Sequence, residues 1–426
     1  MTEAHETRPA FMPVHPGILE VTGIGTDGGI VELRNGSLAM MQGGGVYETD
    51  QVSPTRRISS DGGKSWGEPE PLECEIGVGG VIRLASGALG LYGQKEGGTY
   101  YCSSTDDGRT WTPGALIPTY SDFRPMHHSM VQLSTGRLLI VGYWEALNGA
   151  HPDVERVTAT GWGWWRGVEL FMEGHRGVEM GICLAYCSDD EGETWKQAEG
   201  GLFGWFNEQG VPDGTGGISD VYEPTAAETK DGRVLLFARC KRGRLVQSYS
   251  PNGGRTWYSV QPTELASSQS PPLLIRIPKT GDLLCVWNQA SGEEIRRGFL
   301  RGRLSAAISQ DSGLTWGHFK TLELMQGMDD AARIAPDYPI PGLIVGRPGL
   351  GNLPDGFAMF TYPNVDIIGD TVFIRYSRMW PRLRDAGAQA TGGPAVPRMW
   401  PSYEERRAEM TGEGVVRICP VEWFYR

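Results

Sequence analysis

Ser104-Thr-Asp106-Asp-Gly108-Arg-Thr-Trp111 is the stretch from which the fold is read. Its Ser and Asp side chains are suited to bond backbone N–H groups inside a tight turn. Its Gly takes a backbone conformation that other residues resist, and its Trp packs on a sheet. The same pattern recurs as Ser59-Ser-Asp61-Gly-Gly63-Lys-Ser-Trp66 and Ser188-Asp-Asp190-Glu-Gly192-Glu-Thr-Trp195. It returns as Ser250-Pro-Asn252-Gly-Gly254-Arg-Thr-Trp257 and Ser309-Gln-Asp311-Ser-Gly313-Leu-Thr-Trp316.

A second pattern alternates with the first: an apolar residue, a Gly-containing turn, then an apolar run. It is seen at Leu33–Leu38, Leu84–Leu89, Leu133–Leu138, Thr229–Val234, Pro278–Leu283 and Ile367–Val372. Asn-Gly, Asp-Gly and Thr-Gly between apolar runs are hairpin turns. Each unit therefore supplies two hairpins, hence a four-stranded sheet. Six such units predict an all-β, six-bladed β-propeller, with only the last unit lacking the Ser-x-Asp turn. The whole chain, 1–426, reads as this one domain. The run Gly414–Tyr425 reads as a closing strand that shares a blade with Gly17–Val21 and latches the ring.

Composition agrees. Gly (61) and Trp (14) are abundant, and only 21% of residues are charged, as a turn-rich, aromatic-rich chain of short strands requires. The formal charge of −12, from 39 basic and 51 acidic residues, argues against nucleic acid and anionic membranes as partners. An anionic ligand would need a local basic pocket. The seven Cys lack metal-ligand spacing. Cys183 and Cys187, four apart in a strand-like run, lie roughly 13 Å apart, too far for a disulfide. An odd, dispersed set reads as thiols in a reducing compartment. With no apolar leader in the first 25 residues and no long apolar run, a cytoplasmic location is expected.

Three insertions interrupt the repeat, at about 144–180 in blade 3, 200–219 and 379–413. The first carries Trp162, Trp164, Trp165 and Phe171, and the second Phe203, Trp205 and Phe206. Such aromatics suit a sugar-stacking wall, a homo-oligomer contact or a self-packed loop.

The Asp turns lie on outer hairpins of separate blades, so their role is structural, and chemistry is expected at the inner strands around the channel. There, Glu223 precedes the blade-4 hairpin and Arg239 ends the strand after it. Arg301 leads into the fifth Ser-x-Asp turn, and Tyr362 precedes the sixth hairpin. These come from three consecutive blades.

On these residues the chain resembles the exo-sialidases (neuraminidases) and their Asp-box relatives, over roughly residues 20–378. In that family a Glu stands before the Asp-Gly hairpin of a central blade with an Arg sixteen residues later, as Glu223 and Arg239 stand around Asp231-Gly232. An Arg lies eight residues before the Ser of a box, as Arg301 lies before Ser309, and a Tyr opens the last blade, as Tyr362 does. The resemblance implies a retaining exo-glycosidase that releases a terminal acidic sugar, an α-sialoside first. Tyr362 would be the nucleophile, Glu223 its base, and Arg239 and Arg301 the carboxylate clamp. It implies no metal or other cofactor. A phenol avoids part of the repulsion a carboxylate nucleophile would meet at a carboxylated anomeric carbon. Arg grips a carboxylate through planar paired contacts that Lys lacks.

The chain departs from the family at blade 1. Gly23-Ile-Gly-Thr-Asp-Gly-Gly-Ile30 carries no Arg where the family has its first, although Arg34, Arg56, Arg57 and Arg83 are available. Arg276-Ile-Pro278 reproduces the family's tripeptide, but in blade 5. A two-Arg clamp leaves room for a uronic or another nonulosonic acid. In the blade-1 loop Tyr47–Pro54, Asp50 is taken for the acid/base and Glu48 is the alternative. His127-His128 places one ring toward the channel, because neighbouring strand residues face opposite ways; His128 is taken for a substrate contact. The alternatives are a hydrolase or lyase on an acidic polysaccharide, with His127 or His128 moving the proton, and a carbohydrate-binding propeller without turnover.

Overall fold

A computed structural model describes residues 8–43, 53–120, 123–145, 160–165, 168–173, 181–206, 217–219, 221–240, 243–292, 294, 301–330, 358–381 and 410–426. Six four-stranded antiparallel sheets follow one another as blades. Their inner strands are Gly29–Glu32, Gly80–Arg83, Arg124–Gln132, Tyr222–Glu228, Leu273–Arg276 and Met359–Ile368 in blades 1 to 6. Each inner strand packs against the next, and the first against the last, so the six close a ring around a channel. The expected propeller is present.

The latch is also as expected in kind. Blade 6 runs Met359–Ile368, Thr371–Pro381 and Met410–Pro420, and its outer strand is Leu19–Thr22, paired Leu19 to Ile418 and Thr22 to Val415. The closing strand ends sooner than the sequence suggests. Pro420 supplies no ladder donor, and Val421–Tyr425 turns into a 3-10 helix. Met379–Pro381 and Met410–Glu413, read above as part of the third insertion, are strand residues of blade 6. The blade-3 insertion contains the hairpin Thr160–Trp165 with Val168–Glu173, and the second contains Gly204–Phe206 with Gly217–Ser219.

The Ser-x-Asp turns bond inward. Ser104 Oγ donates to Asp106 Oδ1 at 2.8 Å and accepts from the Gly108 N–H at 2.8 Å, while the Thr110 N–H reaches Asp106 Oδ1 at 2.9 Å. The other four turns repeat this arrangement. The Gly in each turn also wedges against the preceding blade. A Cβ on Gly192 would fall 2.1 Å from the Tyr101 ring, and one on Gly313 2.3 Å from Leu235. The turns are thus spacers between blades, one in each of blades 1 to 5 rather than one per strand.

At the seam between blades 5 and 6 lies a buried ionic cluster. Glu323 Oε1 accepts from Tyr376 Oη at 2.5 Å, Arg378 Nε at 2.8 Å and Arg417 Nη2 at 2.9 Å. Glu20, on the latch strand, accepts from Arg378 at 2.7 Å. The charges fasten the chain's beginning to its end.

Candidate active site

At one mouth of the channel, three inner strands carry the same irregularity. Register shifts fall between Pro125 and Met130, Tyr222 and Thr225, and Thr361 and Asn364. At each stands a non-glycine residue with left-handed backbone: His128 (φ 55°), Glu223 (φ 51°) and Tyr362 (φ 53°). Each is the residue two before the point where pairing resumes, so the three are equivalent. Such a conformation costs roughly 1–2 kcal/mol for an L-residue and is sustained only by its surroundings. Bulges re-aim side chains, and here they bring Glu223 and Tyr362 together.

Tyr362 Oη donates to Glu223 Oε1 at 3.3 Å, and Arg239 Nη1 donates to Glu223 Oε2. Arg239 ends the second strand of blade 4, paired with Tyr222, and its guanidinium lies 4.6 Å from the Tyr222 ring centroid. Arg301 precedes the third strand of blade 5. Its carbonyl accepts from the Phe360 N–H at 2.9 Å, which ties blade 5 to blade 6, and its guanidinium lies 5.2 Å from the Tyr362 ring centroid. The four expected residues therefore converge. Glu223, Arg239 and Arg301 are 4%, 7% and 6% exposed, whereas Tyr362 is 36% exposed: a partly accessible phenol on a buried carboxyl group paired with Arg239.

The charges are unequally matched. Glu223 pairs with Arg239, whereas Arg301 forms no ion pair with a carboxylate among the described residues; its Nη2 reaches the Gln269 carbonyl at 3.4 Å, and its side chain also bonds to Tyr362. Burial, then the neighbouring Arg239 charge, pull Arg301 below the usual arginine range against the pull of Tyr362 and Glu223. Burial and the Glu223 charge push the Tyr362 phenol above its ordinary value, opposed by Arg301 and Arg239. Tyr362 is thus a protonated phenol at rest, with a carboxylate placed to take its proton and a cation placed to steady the phenolate. Gln269 and Tyr222 escaped the sequence reading. Tyr222 adjoins Glu223, and Gln269 lies in the blade-5 entry Ser267-Ser-Gln-Ser270, where no charge marks it; its amide donates to Tyr222 Oη.

The four arginines considered for the missing clamp position do not supply it. Arg34 donates to the Thr105 and Gly87 carbonyls, and Arg83 pairs with Asp107 at 2.8 Å, both at the hairpin-turn end. Arg56 pairs with Glu70 and Arg57 donates to the Gly67 carbonyl, both on the outer half of blade 1. At the blade-1 entry itself, Arg375 from blade 6 donates to the Asp27 and Gly28 carbonyls at 2.6 and 2.9 Å and is wholly buried. It bolts the seam between blades 6 and 1. Arg276 pairs with Glu228 at 3.2 Å, away from this mouth.

His128 turns to the channel, as one of the pair was expected to. Its Nε2 lies 3.1 Å from Asp366 Oδ1 of blade 6. Beyond this pair, toward the hairpin turns, the channel widens into a cavity of about 990 Å³ lined by residues from all six inner strands, among them Glu32, Gln132, Glu228 and Arg276. Asp50 and Glu48 lie outside the described residues, as does the side chain of His127. No described helix is long and apolar enough to cross a membrane.

Comparison with known proteins agrees with this architecture. The profile of the BNR repeat-like domain matches residues 83–374. A crystal structure of a protein of unknown function from Dyadobacter fermentans superposes with a TM-score of 0.52 at 15% identity, over 95% of this chain and 99% of that one. The Hadza microbial sialidase Hz136 gives 0.48 at 17% identity; 82% of this chain is covered, but only 62% of the sialidase. An α-L-arabinanase of Penicillium chrysogenum complexed with arabinobiose gives 0.45 at 12% identity, over 86% and 94% of the two chains. No curated protein sequence matches.

Proposed function

The chain belongs to the BNR repeat-like domain family, and on that premise we propose that it is a retaining exo-glycosidase releasing a terminal acidic sugar, an α-sialoside first. Tyr362 attacks the anomeric carbon while Glu223 takes the phenolic proton, giving a covalent glycosyl-enzyme. Water then displaces Tyr362 from the face that the leaving group departed, and the two inversions together retain configuration. Arg301 and Arg239 hold the substrate carboxylate. His128 contacts the sugar from the channel side, and proton transfer at the leaving oxygen falls, by the resemblance, to Asp50.

The observation that carries this reading is Arg301. A buried guanidinium without a carboxylate partner among the described residues, beside a Tyr bonded to a Glu, is unfavourable unless an anion completes it. The test is release of the fluorophore from a fluorogenic α-sialoside by the parent protein and by Tyr362→Phe. Release by the parent and none by the variant supports the reading; equal release by both removes Tyr362 from the mechanism.

One observation favours a second substrate. The blade-1 entry offers carbonyls, already taken by Arg375, where a third arginine would stand. A clamp of two arginines, one shared with Glu223, suits a less demanding carboxylate such as a uronic or another nonulosonic acid. Uronide and sialoside substrates assayed side by side separate the two.

A further inference from the structure

Of the seven cysteines, all free, two stand apart from the rest. Cys74 Sγ and Cys102 Sγ lie 3.4 Å apart. Cys102 is buried on the third strand of blade 2, Gly98–Ser104. Cys74 is partly exposed and lies on the connector from the outer strand of blade 1, Glu70–Pro71, to the inner strand of blade 2. The other five have no such neighbour. Cys183 donates to the Val221 carbonyl at 3.2 Å and Cys240 to the Arg244 carbonyl at 3.1 Å, while Cys285 and Cys419 are buried in blade cores.

The connector is held along its length. Leu72 N–H bonds to the Pro54 carbonyl, Gly77 N–H to Gln94 and Val78 N–H to Gly43, while Ile76 and Val78 are buried in the core shared by blades 1 and 2. Its backbone presses on the blade: a Cβ on Gly93 would fall 1.5 Å from the Gly77 carbonyl oxygen. The two thiols are therefore fixed in contact by packing on both sides. Closing from 3.4 Å to a bond of about 2.05 Å is a side-chain adjustment, not a rearrangement.

We propose that Cys74 and Cys102 form a disulfide site that pins the blade 1–blade 2 connector to blade 2 when the chain meets a low-molecular-weight disulfide. Cys74, the accessible member, attacks one sulfur of oxidised glutathione as its thiolate, and the glutathione S–S bond breaks to release one glutathione thiolate. Cys102 then attacks the Cys74 sulfur of the mixed disulfide and releases the second. Two electrons pass from the protein pair to the glutathione disulfide, and the two cysteine protons end on the two glutathione thiols. A hydrogen bond from Cys102 holds the Cys74 thiol below its ordinary value, while the bond to Cys74 and burial push Cys102 up, which agrees with this order of attack.

The full chain is incubated with excess oxidised glutathione, quenched with acid, denatured and titrated for free thiols. The proposal expects the seven thiols to fall by two, a mass loss of two hydrogens with no glutathione retained, and a single cross-linked peptide pair containing Cys74 and Cys102. The melting temperature should rise on oxidation, because the bond closes a loop around two strands. In Cys102→Ser, the mixed disulfide at Cys74 should persist and no rise should follow. Seven thiols remaining in the parent, a stable glutathione adduct on the parent Cys74, or a cross-link involving any other cysteine would each overturn it. The measurement on the parent protein does not depend on the variant folding.

Discussion

His128 and Asp366 meet across the axis of the propeller, imidazole Nε2 to carboxylate Oδ1 at 3.1 Å, from blades on opposite sides of the ring. Asp366 is committed on its other oxygen as well: Oδ2 accepts from Arg375 at 2.9 Å and from the Ile30 N–H at 3.1 Å. One carboxylate thus joins blades 1, 3 and 6. The pair lines the cavity on the hairpin-turn side, which Glu223 and Tyr362 do not, and it gives the strained backbone of His128 a reason to persist, since the bulge is what lets the ring reach the axis.

Asp366→Asn should therefore destabilise the fold by about 3–5 kcal/mol near neutral pH, the usual cost of leaving buried partner charges uncompensated. Burial pushes the Asp366 pKa up, but the His128 and Arg375 charges and the Ile30 N–H hold it below the ordinary carboxylate value. A depressed folded pKa means that this stabilisation is complete above the unfolded value, about 3.9, and is lost as pH falls through the folded one. Urea midpoints measured near neutrality and in acid should converge for parent and variant in acid. A variant as stable as the parent at neutral pH would show the cross-axis pair to be energetically idle.

The wedge role of the repeated turns separates two glycines with similar backbone. Gly36 (φ 81°) and Gly192 (φ 96°) are both left-handed, but a Cβ on Gly36 meets open space and one on Gly192 meets Tyr101 at 2.1 Å. Gly36→Ala should cost about 1–2 kcal/mol, from backbone strain alone. Gly192→Ala adds overpacking of roughly 1–3 kcal/mol and should lower the unfolding midpoint further. Equal losses in chemical denaturation would mean that the turns do not space the blades.

Arg301 should discriminate by substrate charge. Arg301→Lys keeps a cation but loses the planar paired contact, so kcat/KM on an acidic glycoside should fall by about ten-fold or more, the equivalent of roughly 1.5–3 kcal/mol for a hydrogen bond to a charged group. Turnover of a neutral glycoside with the same leaving group should change little. A parallel fall on both substrates would mean that Arg301 supports Tyr362 and does not read the carboxylate.

The blade count and the positions of Glu223, Arg239, Arg301 and Tyr362 were legible because they are written in local spacing. A turn motif repeats in register with hairpins, and the family resemblance picks out each of the four by its offset from one. The cross-axis pair was not legible. His128 and Asp366 are neighbours only because six blades close a ring, and nothing local to either marks its partner. The cluster of Glu323, Arg378 and Arg417 was hidden for a related reason. Charges on strands read as a solvated face, and these are buried only once blade 5 packs against blade 6. The third insertion was placed too generously because Met379–Pro381 and Met410–Glu413 follow no turn signal, and their strand character comes from pairing with each other.

The Tyr362–Glu223 bond leads to a prediction that separates a nucleophile from a scaffold. Glu223→Gln keeps the shape and a hydrogen bond to Tyr362 but cannot take the phenolic proton, so kcat should fall by about 10²–10⁴-fold, the usual contribution of a general base. Some additional loss is expected from stranding Arg239, whose charge Glu223 now balances. Tyr362→Phe keeps both Glu223 and Arg239 and should lose turnover while still binding the acidic sugar through Arg301. Binding of the free sugar by calorimetry, beside single-turnover kinetics, reads the two effects separately. Retained binding with no trapped glycosyl-enzyme is the expected result for Tyr362→Phe. A trapped covalent intermediate in that variant would assign the attack to a different residue.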